Sequence, residues 1–541
     1  MDPAIEALKK KFRDGLKAEA IAECEALCLQ QPQQPALRRL CAMMHALTGG
    51  HARALVLQLE LLAHAPDDAD LLFNIALCER ELQDFAAAAA RFEDYVQRFP
   101  SHPDGWASLA ECRLRLGQAQ AALAAADRAL QLDPVSVPGW TVRADGQRAL
   151  GQAEPAVASY DRAITLAPQL PALKVRRAEL LEELGRPAEA ASDYRAALAL
   201  APRDDETLKK ATLCLLRQDR GPDAIALCRE VLKVHPDSLA ARLGIDWLLS
   251  QLVPFWHVPM MNDEARNRAY HDGLQAAQLQ DKLVFEIGTG AGLVAMMAAR
   301  LGARSVVSCE AVPLLADMAR QIVQRNGLHE RITVLARPSF AVQPGRDLPQ
   351  AADVLVHEIF SSELLGEHVL PAIEDAKARL LKPGGTILPA AASLMIALLG
   401  GEELALELHV GQVWGFDLQP FNAIHPKKRP LHREDLPRVL LSDDTEAFRF
   451  DFAAQSHFPP EKKRLELVAT RAGTCYGVVQ WVRLDFGAGV RFENHPSVPR
   501  PVANWQHTVY RFDTPLALAA GARVAVAAAH DRSRPWFERV A

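Results

Sequence analysis

The chain has 541 residues, 24% of them charged, with a net charge of −6. That length predicts two to four domains, and the acidic balance argues against a broad nucleic-acid-binding surface. No window approaches about 18 uninterrupted apolar residues, and the opening residues, MDPAIEALKKKFRDG, carry no apolar signal core, so no membrane partner and a cytoplasmic location are expected.

Nine cysteines are scattered without a CxxC pair. Cys24 and Cys28 lie one helical turn apart but have no histidine partner at metal-like spacing. The set reads as reduced thiols, and no metal site is expected.

The first 240 or so residues repeat. Prolines recur every 34 residues at Pro32, Pro66, Pro100, Pro134, Pro168, Pro202 and Pro236. Alanines recur in register at Ala20, Ala54, Ala88, Ala122, Ala156, Ala190 and Ala224, and glycines at Gly15, Gly49, Gly117, Gly151 and Gly185. Glycine lets the chain turn between paired helices, alanine lets them approach closely, and proline separates one pair from the next. Ala76, Ala110, Ala144 and Ala178 mark the matching contact on the first helix of a pair. This pattern resembles the tetratricopeptide repeat. The resemblance implies an all-α solenoid whose concave face holds a partner protein or peptide. The bland reading is an architectural arm.

After residue 252 the period stops. The stretch PFWHVP, 254–259, reads as a boundary, followed by a helix from about 260 to 279. A strand at 283–287 runs directly into Gly288, Gly290 and Gly292, and a helix starts near Leu293. Further strands are expected at 305–309, ending in Glu310, and at 332–335, 354–356 and 386–388, the last after a Lys382-Pro383-Gly384-Gly385 turn. Glycines between a strand and a helix let the backbone approach a ligand, and an acid at the second strand end can accept from ribose hydroxyls. The arrangement resembles class I methyltransferases that use S-adenosyl-L-methionine. It implies a Rossmann-like fold with Glu286, the three glycines and Glu310 at the cofactor.

The fourth strand opens onto VHEIFSSELLGE, 356–367, where Glu358 and Glu367 stand nine residues apart. Two carboxylates on a loop at a strand's carboxyl end suit a planar guanidinium, which is always charged and binds carboxylates through a fork of donors. The bland reading is a helix cap and a solvated glutamate. The spacing resembles the double-glutamate loop of protein arginine methyltransferases, in the branch carrying tetratricopeptide repeats. Three further stretches carry the same resemblance. HVPMMNDEAR, 257–266, resembles the family's cofactor-covering helix, which implies cofactor roles for His257, Met260 and Arg266. NWQHTVY, 504–510, resembles its Thr-His-Trp loop, which implies substrate contacts from Asn504 and Trp505. The alternating apolar segment GVVQWVRLDF, 477–486, resembles its β-barrel. Two positions depart from the family: Asn504 replaces a histidine that pairs with the counterpart of Asp263, and Phe340 replaces a glutamate near the adenine.

The expected architecture is therefore a tetratricopeptide solenoid over 1–252, a cofactor domain over 253–390 and a β-barrel substrate domain over 391–541. In the family it resembles, an arm in this region pairs two catalytic domains, so the resemblance implies a homodimer through about 413–443, though the aromatics there suit burial within one subunit as well. Trp505 packs either along the substrate arginine or in the core. Glu363, His507 and His530 are read as structural. The expected activity is methyl transfer from S-adenosyl-L-methionine to arginine of a protein recruited by the repeats. Two alternatives stand beside it: a scaffold with a degenerate cofactor domain, and a small-molecule methyltransferase.

Overall fold

The computed structural model of the chain describes residues 3–431, 439–498 and 505–540, with Glu403 and Val439 described by backbone alone. It divides into two compact units at Leu248/Leu249. The division falls inside the helix Leu239–Leu252, whose end was the expected boundary.

The first unit begins with α1 (Pro3–Arg13), α2 (Lys17–Gln30) and α3 (Pro35–Leu47) and continues from α4 (His51–Leu62) to α14 (Gly221–Val234) as helices of 12–14 residues, each packed on the next, before α15 (Leu239–Leu252). The period-34 alanines are all fully buried, as are Ala76, Ala110, Ala144 and Ala178. Where two helices meet that closely, only a methyl group fits between them. The side chain six residues after a repeat proline holds that proline's carbonyl in four repeats: Arg38 on Pro32, Trp106 on Pro100, Trp140 on Pro134 and Arg242 on Pro236.

The turn inside each pair needs a left-handed residue. The five repeat glycines adopt it, and Gln83 (φ 65°) and Asp219 (φ 57°) adopt it at the two in-phase positions that lack glycine. A β-carbon is disfavoured there, whereas glycine's only penalty is its freedom in the unfolded chain. Gln83→Gly is therefore expected to stabilise the solenoid by about 0.5–1 kcal/mol, read as a rise in the urea midpoint. An unchanged or lowered midpoint contradicts this.

The second unit opens with α16 (His257–Asn262) and α17 (Glu264–Ala276). The single helix expected here is broken at Asp263, whose extended backbone and side chain cap α17 by accepting from the Arg266 N–H at 3.1 Å. A parallel sheet follows: β1 (Leu283–Ile287), β2 (Ser305–Glu310), β3 (Ile332–Ala336), β4 (Ala352–His357) and β5 (Leu381–Leu388), in the order 3-2-1-4-5. The Lys382–Gly385 turn lies inside β5 as an irregularity, because pairing with β4 jumps from Leu381 to Thr386. Helices α18 (Leu293–Arg300), α19 (Pro313–Arg325) and α20 (Val369–Arg379) join the strands. The order switches between β1 and β4, and in such sheets ligands bind beyond the carboxyl ends at that point.

The rest of the unit is antiparallel. Its strands are β6 (Ala391–Gly400), β7 (Gln412–Val413), β8 (Phe416–Asp417), β9 (Lys428–Leu431), β10 (Val439–Leu440), β11 (Thr445–Asp451), β12 (Glu461–Val468), β13 (Gly473–Gly487), β14 (Val490–Glu493), β15 (His507–Leu518), β16 (Arg523–His530) and β17 (Pro535–Arg539). A seven-stranded sheet runs β10-β6-β13-β15-β9, with β11 also on β6 and β14 on β13, and a three-stranded sheet runs β12-β16-β17. A barrel was expected; among the described residues no strand pairing closes these two sheets into a ring. All ten residues of β6 are buried, which explains why it reads as a continuous apolar run and not as an alternation. No helix of the described residues is long and apolar enough to cross a membrane.

Candidate active site

The glycine loop is shaped by contacts no side chain could share. At Gly288 (φ 88°) a β-carbon would sit 2.7 Å from Ile359 Cγ2 and 3.0 Å from the Glu358 carbonyl. The loop thus lies directly against the carboxylate segment that leaves β4. Gly290 and Gly292 are also left-handed, and Gly292 caps α18. Glu310 ties the loop to β2: its carboxylate accepts from the Gly290 N–H at 3.0 Å and the Val312 N–H at 2.9 Å.

The carboxylate segment is a compact turn. Ser361 Oγ accepts from the N–H groups of Glu363 (3.2 Å) and Gly366 (3.1 Å), while Leu364 and Leu365 are fully buried beneath it. A β-carbon on Gly366 would meet Ser361 at 2.5 Å, so glycine is required there. Leu364, Glu367 and His368 take left-handed backbone. The chain thereby doubles back and returns Glu367 to the cavity that Glu358 enters. Three contacts anchor the turn from the antiparallel sheet side: Trp505 Nε1 donates to the Phe360 carbonyl (2.8 Å), Gln480 Nε2 to the Ser362 carbonyl (3.2 Å) and the Gln506 N–H to Ser362 Oγ (3.0 Å).

The cavity has a volume of about 850 Å³. Gly288, Gly290, Glu310, Glu358, Glu367, Met260 and His257 all line it. His257 stacks on Trp256 at 4.1 Å and bonds through Nδ1 to the Pro254 carbonyl, so α16 closes one wall. Burial pushes the Glu358 carboxyl up to about 7, with Arg266 opposing the rise and Glu367 adding to it. Glu367 is raised as well, by desolvation and by the charge of Glu310. Three carboxylates therefore face one cavity, and the potential there favours a cation.

Arg266 is placed differently from expectation. Its side chain is 3% exposed and stands behind Glu358, outside the cavity wall, with Nη2 3.1 Å from Glu358 Oε2. Nη1 donates to Asn267, and the guanidinium lies 5.0 Å over the Tyr270 ring. A buried guanidinium takes the nearest carboxylate, which here is the one read as gripping substrate. Its buried Nε has no partner among the described residues.

Two further expectations are corrected. Glu286 does not line the cavity; it is 1% exposed beneath the loop, where its carboxylate accepts from Ser308 Oγ, which in turn bonds Thr289 Oγ. Burial holds its carboxyl up to about 8, so near neutral pH it braces the loop chiefly as a neutral acid. Trp505 is a core indole, 2% exposed, set edge-on to Phe360 and Phe492 and absent from the cavity wall. Trp505→Phe is expected to cost about 1–2 kcal/mol of stability through the lost N–H bond and lost volume, measured by denaturant unfolding. A stability equal to wild type with a raised substrate KM would instead make it a substrate contact. Asn504 lies outside the described residues. Glu363 pairs with Lys428 at 2.5 Å, and His530 sits between Phe448 and Phe450, so both are structural.

Phe340, 73% exposed, lines the cavity beside Pro338 and Ser339, and Arg379 fixes that turn through the Ser339 and Phe340 carbonyls. The sequence flagged Phe340 only as a departure. It singled out Cys24 and Cys28 but not the cluster they join: Cys41 and His45 on α3 come up against Cys24, Cys28 and Glu25 on α2, which spacing along the chain does not disclose.

Comparison with known proteins gives three results. Family models match over 272–390 (Ribosomal protein L11 methyltransferase) and over 79–137 and 141–205 (Tetratricopeptide repeat). An "Arginine N(omega)-methyltransferase" of Streptomyces achromogenes subsp. streptozoticus is 37% identical over 298 residues, covering 55% of this chain and 82% of that protein. "Protein arginine N-methyltransferase 7" of Oryza sativa subsp. indica is 30% identical over 265 residues, covering 44% of this chain and 36% of the relative, so the chain spans about a third of that protein's length. Among solved structures, the Trypanosoma brucei PRMT1 enzyme-prozyme complex with AdoHcy aligns with a TM-score of 0.46 and 22% identity, covering 53% of this chain and 98% of that one.

Proposed function

The chain belongs to the arginine N-methyltransferase family, and from that premise we propose that its second unit methylates a guanidinium nitrogen of an arginine in a protein held by the repeats. The observation that carries this reading is the pair Glu358 and Glu367, folded back by one turn into the cavity that the glycine loop also lines. Bound S-adenosyl-L-methionine supplies an electrophilic methyl group on a sulfonium. The residues present suit it: a loop where a β-carbon would collide, and a strand-end acid beside it. Gly288, Gly290 and Glu310 would hold the cofactor and His257 and Met260 would cover it, whereas Gly292, expected to join them, caps α18 outside the cavity wall.

Guanidinium is a poor nucleophile because its lone pairs are delocalised. Glu358 and Glu367 draw positive charge onto the nitrogens they bind and leave the remaining one richer in electron density. They also replace the water the cation gives up. Arg266 fixes the Glu358 carboxylate in one orientation, and Trp505 fixes the turn that carries both acids. Glu358, with its carboxyl near 7, can accept the proton lost by the attacking nitrogen. Holding both reactants in line contributes several kcal/mol, on the order of 7 or more in favourable cases.

A second acceptor has its own support, since the Streptomyces relative's name specifies arginine and not a protein. The experiment supplies methyl-labelled cofactor to the full chain with arginine-rich peptides, with a lysate and with free arginine, followed by hydrolysis and separation of the methylarginines. Label in protein or peptide arginine supports the proposal, and label on free arginine alone shifts the acceptor to the amino acid. No label on any arginine sinks both.

The same reading includes a homodimer. The hairpin of β7 and β8 and the turn after it leave Trp414 (95% exposed), Phe416, Phe421 and Ile424 in solvent. Exposed aromatics grouped on one arm mark a protein contact. A monomer mass in sedimentation equilibrium at micromolar protein would remove the dimer without touching the chemistry.

A further inference from the structure

Helices α2 and α3 bring together a group of side chains that methyl transfer does not use. Cys24 and Cys28 lie one turn apart on α2, Cys41 faces them from α3, and the three sulfurs lie within 4.8 Å of one another. Thiolates bound to one ion at about 2.3 Å stand about 4 Å apart, so this convergence needs only a small inward adjustment. Cysteines retained merely as small apolar residues have no reason to converge. Cys78, Cys112, Cys214, Cys228, Cys309 and Cys475 are each buried, and among the described residues none joins such a group.

The surroundings add to the geometry. Cys24 and Cys41 are fully buried, while Cys28 is half-buried and leaves a path from solvent. Cys41 also lies within 4.8 Å of a Glu25 oxygen and a His45 nitrogen, and His45 Nε2 is already bonded to Glu25 Oε1 at 3.1 Å. A carboxylate holding an imidazole is the usual support for a ligating histidine. Arg53 pairs with Glu25 at 3.2 Å, and Arg38 acts on Cys28 as a nearby positive charge. These cations offset the negative charge that several thiolates would gather.

We propose that Cys24, Cys28 and Cys41 bind one thiophilic cation, zinc(II) or copper(I), with His45, which lies beside Cys41, able to supply a fourth ligand. Soft sulfur ligands select these ions over magnesium, calcium or manganese. The ion ties α2 to α3 across Pro32, and so joins one helix pair of the solenoid to the next.

The test uses the full chain, reduced until all nine thiols titrate as free. One sample is loaded with zinc(II), a second anaerobically with copper(I), and both are dialysed before metal analysis; cobalt(II) serves as the optical probe. About one ion per chain is expected, with a sulfur-to-cobalt charge-transfer band. Cys28→Ala, at the half-buried position, and Cys41→Ala are expected to lose retention about tenfold or more while helical circular dichroism is kept, and Cys228→Ala retains the ion. Zinc retained alone or copper retained alone identifies the occupant. The proposal is overturned if the fully reduced chain keeps neither ion, or if Cys28→Ala and Cys41→Ala keep it as well as Cys228→Ala does.

Discussion

Glu367→Gln is expected to lower methyl transfer about a hundred- to a thousandfold while leaving the fold as stable as before. Its carboxylate makes no ion pair among the described residues and faces Glu310 across the cavity, so removing its charge relieves repulsion. What is lost is one of two charged acceptors for the guanidinium. Glu358→Gln should lose at least as much transfer, but for two reasons at once. It also strips the partner from Arg266, which is buried beside it, and an uncompensated buried charge costs about 3–5 kcal/mol. Label transfer and urea unfolding measured on both variants separate the two effects. Equal stability losses would mean that Arg266 does not depend on Glu358; retained transfer in Glu367→Gln would remove it from the grip.

The pH profile of kcat/KM for an arginine peptide should rise through about pH 7 and level off above it. The Glu358 carboxyl, ordinarily near 4.5, is held up to about 7 by burial, against the pull of Arg266 and with the push of Glu367. A cation binds the ionised form, so productive binding is fully present above that value and is lost as pH falls through it. Between pH 7 and 5 the loss should reach about a hundredfold, about tenfold per unit. Because Glu367 is raised too, the two acids titrate as a pair and the profile belongs to both. Stability should move the opposite way. An acid raised in the folded state keeps a proton that the unfolded chain has released, so the fold loses stability as pH rises from about 4.5 towards 7, and Glu286, held up to about 8, extends that decline. Activity rising while stability falls over the same window is the signature. A flat kcat/KM between pH 5 and 8 would contradict it.

Much of this molecule is legible where neighbours in sequence are neighbours in space. The period-34 prolines and alanines mark helix pairs that contact the next pair, and every one of those alanines is fully buried. The glycines after β1 and the acid at the end of β2 are equally local, because a strand, its turn and the next helix are consecutive. Glu358 and Glu367 could be singled out since their turn is built from ten residues, yet the reversal that unites them depends on Ser361, Gly366 and three left-handed residues. The rest failed where long-range packing decides. Arg266 finds Glu358 from 92 residues away, and Trp505 reaches the Phe360 carbonyl across 145. Asp263 divides an apparently continuous helix because its side chain caps the following turn better than it would serve inside one. Gln83 and Asp219 show the reverse case, where the repeat imposes a conformation their own chemistry does not ask for.

The central claim is that two carboxylates hold a guanidinium. Calorimetric titration of an arginine peptide into the full chain saturated with S-adenosylhomocysteine, at pH 8, tests it with no methyl transfer involved. The account predicts measurable binding by wild type, binding weakened about a hundredfold by Glu367→Gln, and none of comparable strength for the same peptide with lysine in place of arginine. Equal affinities of wild type and Glu367→Gln for the arginine peptide would contradict it.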